Sequence, residues 1–188
     1  QTSGYLCAPM TEERADQLGL PLMWPTSQDP LRTRYTVAVD AACGITTGID
    51  AAQRARTARV LADATSTPTD LVRPGHVLPL RARTGGVLER RGHTEAAVDL
   101  ARLAGLEPVG LIGELVGDDG MCLRADAIAD LARAEGLAFI TIDQLAQWRR
   151  VHDTVLAAPP RRVMALASAQ LPTRYGHFTI AGYRDNLT

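Results

Sequence analysis

The stretch "RPGHVLPLRARTGGVLERRGHTEAAVDLARLAGL", residues 73–106, decides the fold class. A Pro-Gly turn leads into "HVLPLRA" (76–82), which reads as a strand. Gly85 and Gly86 turn the chain, and Thr94 stands where a cap belongs for a helix running to Ala104, with Gly105 at its C′ position. The same alternation extends outward on both sides. Upstream, "TEERADQLG" (11–19) reads as a short helix capped by Thr11, "RYTVAVDA" (34–41) alternates as a strand does, and "DAAQRARTARVLAD" (50–63) is an alanine-rich helix. In that helix Asp50 and Gln53, three residues on, resemble a capping box. "STPTDLVRPG" (66–75) is rich in turn residues. Downstream, "PVGLIGELV" (108–116) is apolar enough for a buried strand, "RADAIADLARAEG" (124–136) is an amphipathic helix ending in glycine, "LAFITI" (137–142) is a strand, and Asp143 starts a helix through Arg150. Strands alternating with helices imply a layered α/β domain. From about residue 154 the pattern changes: "AAPPRRVMALASAQ" has little periodicity, and "LPTRYGHFTIAGYRD" (171–185) reads as a fresh strand.

With 188 residues, 46% of them hydrophobic, the chain can bury the core of one ordinary domain with an appendage. Twenty basic and twenty-one acidic residues leave a net charge of -1, so no overall electrostatic footprint for nucleic acid or an anionic membrane is expected, and any anion site must be local. The three cysteines, Cys7, Cys43 and Cys122, are scattered and form no CxxC pair, which argues against a disulfide framework or zinc ribbon and fits a reducing cytoplasm. There is no long apolar run and no charged-then-apolar leader, so neither a membrane span nor a signal peptide is expected. The chain opens at Gln1, just before the apolar "SGYLCAPM", which raises the expectation of a further segment upstream.

Chemistry concentrates at "RRGHTE" (90–95). A helix N-terminus offers unpaired N–H groups and partial positive charge, so Arg90, Arg91, Gly92 and Thr94 are the parts of a phosphate cradle. The same residues also describe a solvated loop with a threonine cap. His93, within the cluster, is either a metal ligand or an ordinary surface histidine. His76 follows the Pro-Gly turn, and the two histidines are candidates to share a site. Glu114, inside "LIGELV", must be paired, hydrogen-bonded or functional if the run is buried, or else faces solvent from an edge strand. Cys7 by default is a small buried hydrophobe.

Together "TSGYLCAPM", "YTVAVDAACGITTGIDAAQRA", the 73–106 stretch and "ITIDQLAQWRR" resemble the 3,4-dihydroxy-2-butanone 4-phosphate synthase family over about residues 2–152. The resemblance implies an α/β/α layered domain with a mixed sheet over 1–153. It implies a lyase of riboflavin biosynthesis that turns ribulose 5-phosphate into formate and 3,4-dihydroxy-2-butanone 4-phosphate, using Mg2+ or Mn2+, as a cytoplasmic homodimer. His76 and Glu114 match the family's catalytic residues and Cys7 an active-site cysteine. Arg90, Arg91, Gly92, His93, Thr94 and Glu114 match substrate-contacting positions, and His93 matches the metal-binding histidine. The resemblance also implies an acidic loop ahead of residue 1 that completes the metal site. Gln53-Arg54 stands where the family usually has Asp-Arg, and Gly113 where a cysteine is common. Residues 171–188 resemble the opening of GTP cyclohydrolase II, with 154–170 as a linker, so a fragment of a bifunctional protein is implied. The alternative is a shortened, non-catalytic homologue that serves as a binding or structural partner.

Overall fold

The strand β3 (Leu71–Arg81) organises its neighbours. It pairs in parallel with β1 (Cys7–Met10), from Cys7 opposite Leu78 to Met10 opposite Arg81, and antiparallel with β2 (Val39–Ala41). The order β1-β3-β2 is a mixed sheet, and with the helices it makes the α/β class expected. Val77, Leu78, Pro79 and Leu80 are all buried, as suits a central strand covered on both faces. Pro79 brings no N–H, and its carbonyl is taken up by Thr36 through N–H (3.0 Å) and Oγ1 (3.1 Å). The strand is longer than its sequence signature, since it starts at Leu71, directly after the 3-10 turn Pro68–Asp70.

The computed structural model describes residues 5–26, 28–153, 163–173 and 176–185. It divides after Ala146 into two compact units. In the first, α1 (Glu12–Gln17) begins where expected, with Thr11 Oγ1 accepting from the Arg14 N–H at 3.1 Å. Asp50 likewise caps α2 (Ala51–Ala62) by accepting from the Gln53 N–H at 2.9 Å. Helix α3 (His93–Leu103) is followed by Gly105 at φ +69°, the left-handed turn that glycine makes cheaply. Helix α4 (Ala125–Ala134) also belongs to this unit, and α5 (Ile142–His152) starts in it and runs past Ala146. Helix α2 packs on β2 and β3, and α3 on β1. One core cluster gathers Met10, Leu18, Leu20, Val39, Leu61 and Val77, all at 0% exposure, and a second joins Val87 and Ala96 to Leu145 and Ala146 of α5.

The strand expected over 34–41 is shortened to Val39–Ala41, with Tyr35 and Thr36 joined only by isolated bridges, and two other expected strands do not form. Residues 108–116 run antiparallel beside β1 only through isolated bridges, Met10 to Val109 and Cys7 to Ile112. Pro108, Gly110 and Gly113 interrupt the run, and proline and glycine weaken strands by removing a donor or a packing side chain. Residues 137–141 are irregular, with Leu137, Phe139 and Ile140 exposed. Hydrophobicity alone cannot tell a strand from an apolar coil. The second unit contains an antiparallel hairpin of β4 (Val163–Thr173) and β5 (Gly176–Asp185). The expected linker over 154–170 is therefore strand from Val163 onward. Its small residues hid the pattern, and pairing with β5 supplies the order that periodicity did not show. The single strand expected over 171–185 is two strands. Among the described residues no helix is long and apolar enough to cross a membrane.

Arg14 ties the first unit together from inside. Its side chain is buried, and it donates to the carbonyls of Leu61 (3.0 Å), Val60 (3.5 Å) and Asp63 (2.5 Å) at the C-terminus of α2. A cation suits those orphan carbonyls, which carry the negative end of the helix dipole. Arg14→Met keeps the length and removes the donors, so the chain is expected to lose about 2–3 kcal/mol of stability. A urea unfolding midpoint equal to that of the unsubstituted chain would show that the carbonyls are satisfied by water instead.

Candidate active site

The pairing of β2 with β3 slips between Val39, opposite Val77, and Asp40, opposite Val72. Residues 73–76 therefore bulge out of the ladder, as functional strand residues often do. Gly75 is required there, because a methyl group on it would fall 1.9 Å from the Val39 carbonyl carbon. The bulge delivers His76 to Asp40 twice over: the His76 N–H donates to Asp40 Oδ1 at 3.0 Å, and His76 Nδ1 lies 2.6 Å from Oδ2. The Asp40 side chain is 6% exposed and that of His76 41%. A buried carboxylate thus holds a half-exposed imidazole. With Nδ1–H given to the carboxylate, Nε2 keeps the lone pair and can take a proton. Asp40 was not singled out by sequence reasoning. The available signal was a lone carboxylate inside the alternating strand "RYTVAVDA".

Cys7 lies on the neighbouring strand β1, opposite Leu78, which is two residues along β3 from His76. On its other side Cys7 exchanges backbone hydrogen bonds with Ile112, both at 2.9 Å, which brings Glu114 alongside two residues later. The segments carrying His76, Cys7 and Glu114 therefore run next to one another. Burial pushes the Cys7 thiol above its ordinary value, and the Glu114 charge adds to the rise. Of the two readings left open for Glu114, the solvent-facing one holds: it is exposed, though in irregular chain rather than on an edge strand. Nearby charge reaches Tyr35 as well: its phenol is raised first by burial, then by Cys7. Tyr35 lines a cavity of about 260 Å3 together with Leu22, Met23, Trp24, Gln28, Asp29 and Thr33.

At "RRGHTE" the helix starts earlier than its sequence implied. Gly92, not Thr94, is the N-cap of α3: the Ala96 N–H donates to the Gly92 carbonyl at 3.0 Å, and Thr94 is buried inside the first turn. A methyl on Gly92 would fall 2.2 Å from Arg90 Nη1, so glycine is what lets that guanidinium pass. Arg90 is turned inward. It pairs with Glu95, 1% exposed, at 2.5 Å, and donates to the Leu31 carbonyl from Nε (3.0 Å) and Nη2 (2.8 Å) and to Thr33 Oγ1 at 3.1 Å. This engagement was not legible from an arginine-rich loop, because the partners lie far away in sequence. Arg91 pairs at the surface with Asp143 of α5. His93 is exposed at the first position of α3. Of the expected cradle, the α3 N-terminus and His93 are the parts not visibly committed elsewhere.

Among the described residues no three His, Cys, Asp or Glu side chains converge as a metal site. Magnesium takes near-octahedral, oxygen-rich coordination, so His93 by itself does not fit such an ion.

The family model described as 3,4-dihydroxy-2-butanone 4-phosphate synthase matches residues 1–148. The riboflavin biosynthesis protein RibBA of Nocardia farcinica is 52% identical over 186 residues, 98% of this chain and 43% of the relative. That of Salinispora tropica is 52% identical over 185 residues, 98% of this chain and 44% of its own length. The chain spans less than half the length of these curated relatives. Among solved structures, the two-domain 3,4-dihydroxy-2-butanone 4-phosphate synthase RibBX from A. baumannii superposes with a TM-score of 0.77 at 39% identity, covering 100% of this chain and 53% of that one. A synthase in complex with two magnesium ions gives 0.75 at 46% identity, over 79% of this chain and 75% of that one.

Two outcomes follow from the geometry. Glu114→Gln removes the charge that opposes the Cys7 thiolate, so the thiol pKa falls and alkylation of Cys7 by iodoacetamide at pH 8.5 speeds up, while Cys43 and Cys122 serve as internal references; peptide mass spectrometry reads all three. An unchanged Cys7 rate would separate the two residues. Arg90→Ala strands the buried Glu95 carboxylate, and a loss of about 3 kcal/mol in unfolding free energy is expected. A stability change near zero would mean that water reaches Glu95.

Proposed function

Since the chain belongs to the 3,4-dihydroxy-2-butanone 4-phosphate synthase family, we propose that it carries out the family's reaction, conversion of D-ribulose 5-phosphate to 3,4-dihydroxy-2-butanone 4-phosphate and formate for riboflavin synthesis. The observation that carries this reading is the Asp40–His76 pair with Cys7 alongside. The reaction enolises the ketone, expels water, migrates the terminal carbon and releases it hydrolytically as formate. It therefore moves protons at several adjacent carbons and needs more than one acid/base group. His76 Nε2 removes a proton beside the ketone, and Asp40 holds the ring and stabilises the imidazolium that forms. Glu114 serves the neighbouring carbon. Cys7, uncharged because its thiolate is disfavoured, walls the site between them.

The phosphate is placed at the N-terminus of α3, where the N–H groups of the first turn point outward and Gly92 leaves room. Arg90 acts there chiefly by holding the turn in shape, with Arg91 at the rim. His93 is a candidate ligand for a divalent ion, Mg2+ or Mn2+, which would supply Lewis-acid polarisation of a ketone if other donors completed its site. The described donors do not complete that site, so every step above is assigned to side chains. The active assembly is a homodimer in the cytoplasm, in keeping with the exposed Leu103, Leu106, Leu111 and Leu137. Residues 171–188, which include β5, open a GTP cyclohydrolase II-like domain, following the resemblance of their sequence.

Formate release from ribulose 5-phosphate tests the proposal. His76→Gln and Asp40→Asn are each expected to reduce turnover by roughly 10²- to 10⁴-fold, with the melting temperature nearly unchanged, because one removes the base and the other its orientation. Activity within a few-fold of the unsubstituted chain in both variants would rule out the assignment.

A further inference from the structure

Gln53 was expected to complete a capping box by reaching back to the Asp50 backbone. Its side chain instead reaches across the loop between β2 and α2. Oε1 accepts the N–H groups of Thr46 (2.8 Å) and Gly48 (2.6 Å), while Nε2 donates to Thr46 Oγ1 (2.9 Å) and to the Asp50 carboxylate. Two other residues of α2 hold the chain on either side of the loop start: Thr57 Oγ1 accepts the N–H of Ala41, the last residue of β2, at 3.0 Å, and Arg56 Nε donates to the carbonyl of the loop residue Cys43 at 2.5 Å.

What the loop presents is Gly48. Its φ is +87°, it is buried, and a methyl group on it would fall 2.2 Å from Asp40 Oδ2 and 2.9 Å from His76 Nδ1. The Gly48 backbone therefore lies directly against the hydrogen bond that orients the imidazole, and no side chain fits between. A carboxylate left open at this edge would trade the His76 proton for water, and the ring would lose its fixed tautomer. The coverage of Asp40, 4% exposed, depends on where that glycine is held.

We propose that Gln53 is a positioning residue for the reaction: through its two bonds from Thr46 and Gly48 it presses the loop onto the Asp40–His76 pair, keeping water from the carboxylate and His76 in one tautomer. This rests on the synthase reading above for its kinetic consequence, but the tautomer itself is observable without turnover. Gln53 touches neither His76 nor Asp40; it acts through the Gly48 backbone. An amide is suited to the task because one oxygen receives both N–H groups while its nitrogen satisfies the hydroxyl and carboxylate on the other side.

The test uses the whole chain and reads the side-chain 15N shifts of its four histidines. In the unsubstituted protein, at a pH where the ring is neutral, His76 is expected as the Nδ1–H tautomer. In Gln53→Ala its shifts move toward the tautomer average of an exposed imidazole, and kcat for formate release falls roughly 10- to 100-fold while KM stays within about twofold, as for a misplaced group rather than a lost binding contact. Gln53→Glu combined with Asp50→Asn keeps an oxygen for both N–H groups, turns an amide N–H toward the new carboxylate from position 50, and is expected to restore the His76 shifts. Gly48→Ala, which acts on the same contact directly, reproduces the Gln53→Ala spectrum. Ala58→Gly in the same helix lowers the melting temperature and leaves His76 unchanged. His76 shifts that do not move in Gln53→Ala, or that move equally in Ala58→Gly, overturn the proposal. Absence of formate from the unsubstituted chain would instead overturn the synthase reading, and the tautomer measurement would still decide the role of Gln53.

Discussion

A buried carboxylate needs donors, and Asp40 takes two of them from a single residue, the backbone and ring N–H groups of His76. Satisfying both at once imposes conditions on everything nearby. The ladder between β2 and β3 must slip so that His76 can leave it, Gly75 must pass the Val39 backbone without a side chain, and Gly48 must close the remaining face of the carboxylate. A strand that kept perfect register would send His76 along the sheet instead of toward Asp40. The irregularity of β3 is thus the structural form of the site, and the regular half of the strand, buried in the core, is what makes the irregular half tolerable.

Two internal arginines solve a related problem at the ends of helices. Arg14 satisfies carbonyls at the C-terminus of α2, and Arg90 couples the first turn of α3 to the Leu31 carbonyl and Thr33. Each spans more than forty residues of sequence: Arg14 sets a fixed donor on helix-end carbonyls that would otherwise face water, and Arg90 ties the Glu95 carboxylate in the first turn of α3 to the segment 31–33. The consequence for function is that "RRGHTE" is less a free patch of positive charge than a braced helix start. Its charge is largely spent on Glu95 and Asp143, and its outward offer is His93 and the backbone N–H groups.

Local signals in the sequence were reliable where the physics is local. The caps at Thr11 and Asp50 accept from the residue three positions on, and Gly105 ends α3, because a cap and its partner lie within one turn. The signals failed where order depends on a distant partner. "PVGLIGELV" and "LAFITI" are apolar enough for strands, yet one makes only isolated bridges and the other none, since a ladder needs an edge to pair with as well as suitable side chains. The reverse error occurred at 163–170, where small residues concealed a strand that its hairpin partner defines.

From the amino acids alone came the α/β class, most helix positions and, through its resemblance to a family, the candidates His76, Cys7, Glu114 and His93. Those follow from periodicity, capping chemistry and the quoted motifs, all of which are written along one dimension. The tertiary structure alone decided that Asp40 bonds the His76 ring, that Arg90 faces inward, that Glu114 is exposed near Cys7, and that Gln53 bonds across the loop ahead of α2. Each of these is a meeting of groups brought together by packing or by the path of a loop, and hydrogen bonds of that kind depend on distances that no local pattern contains.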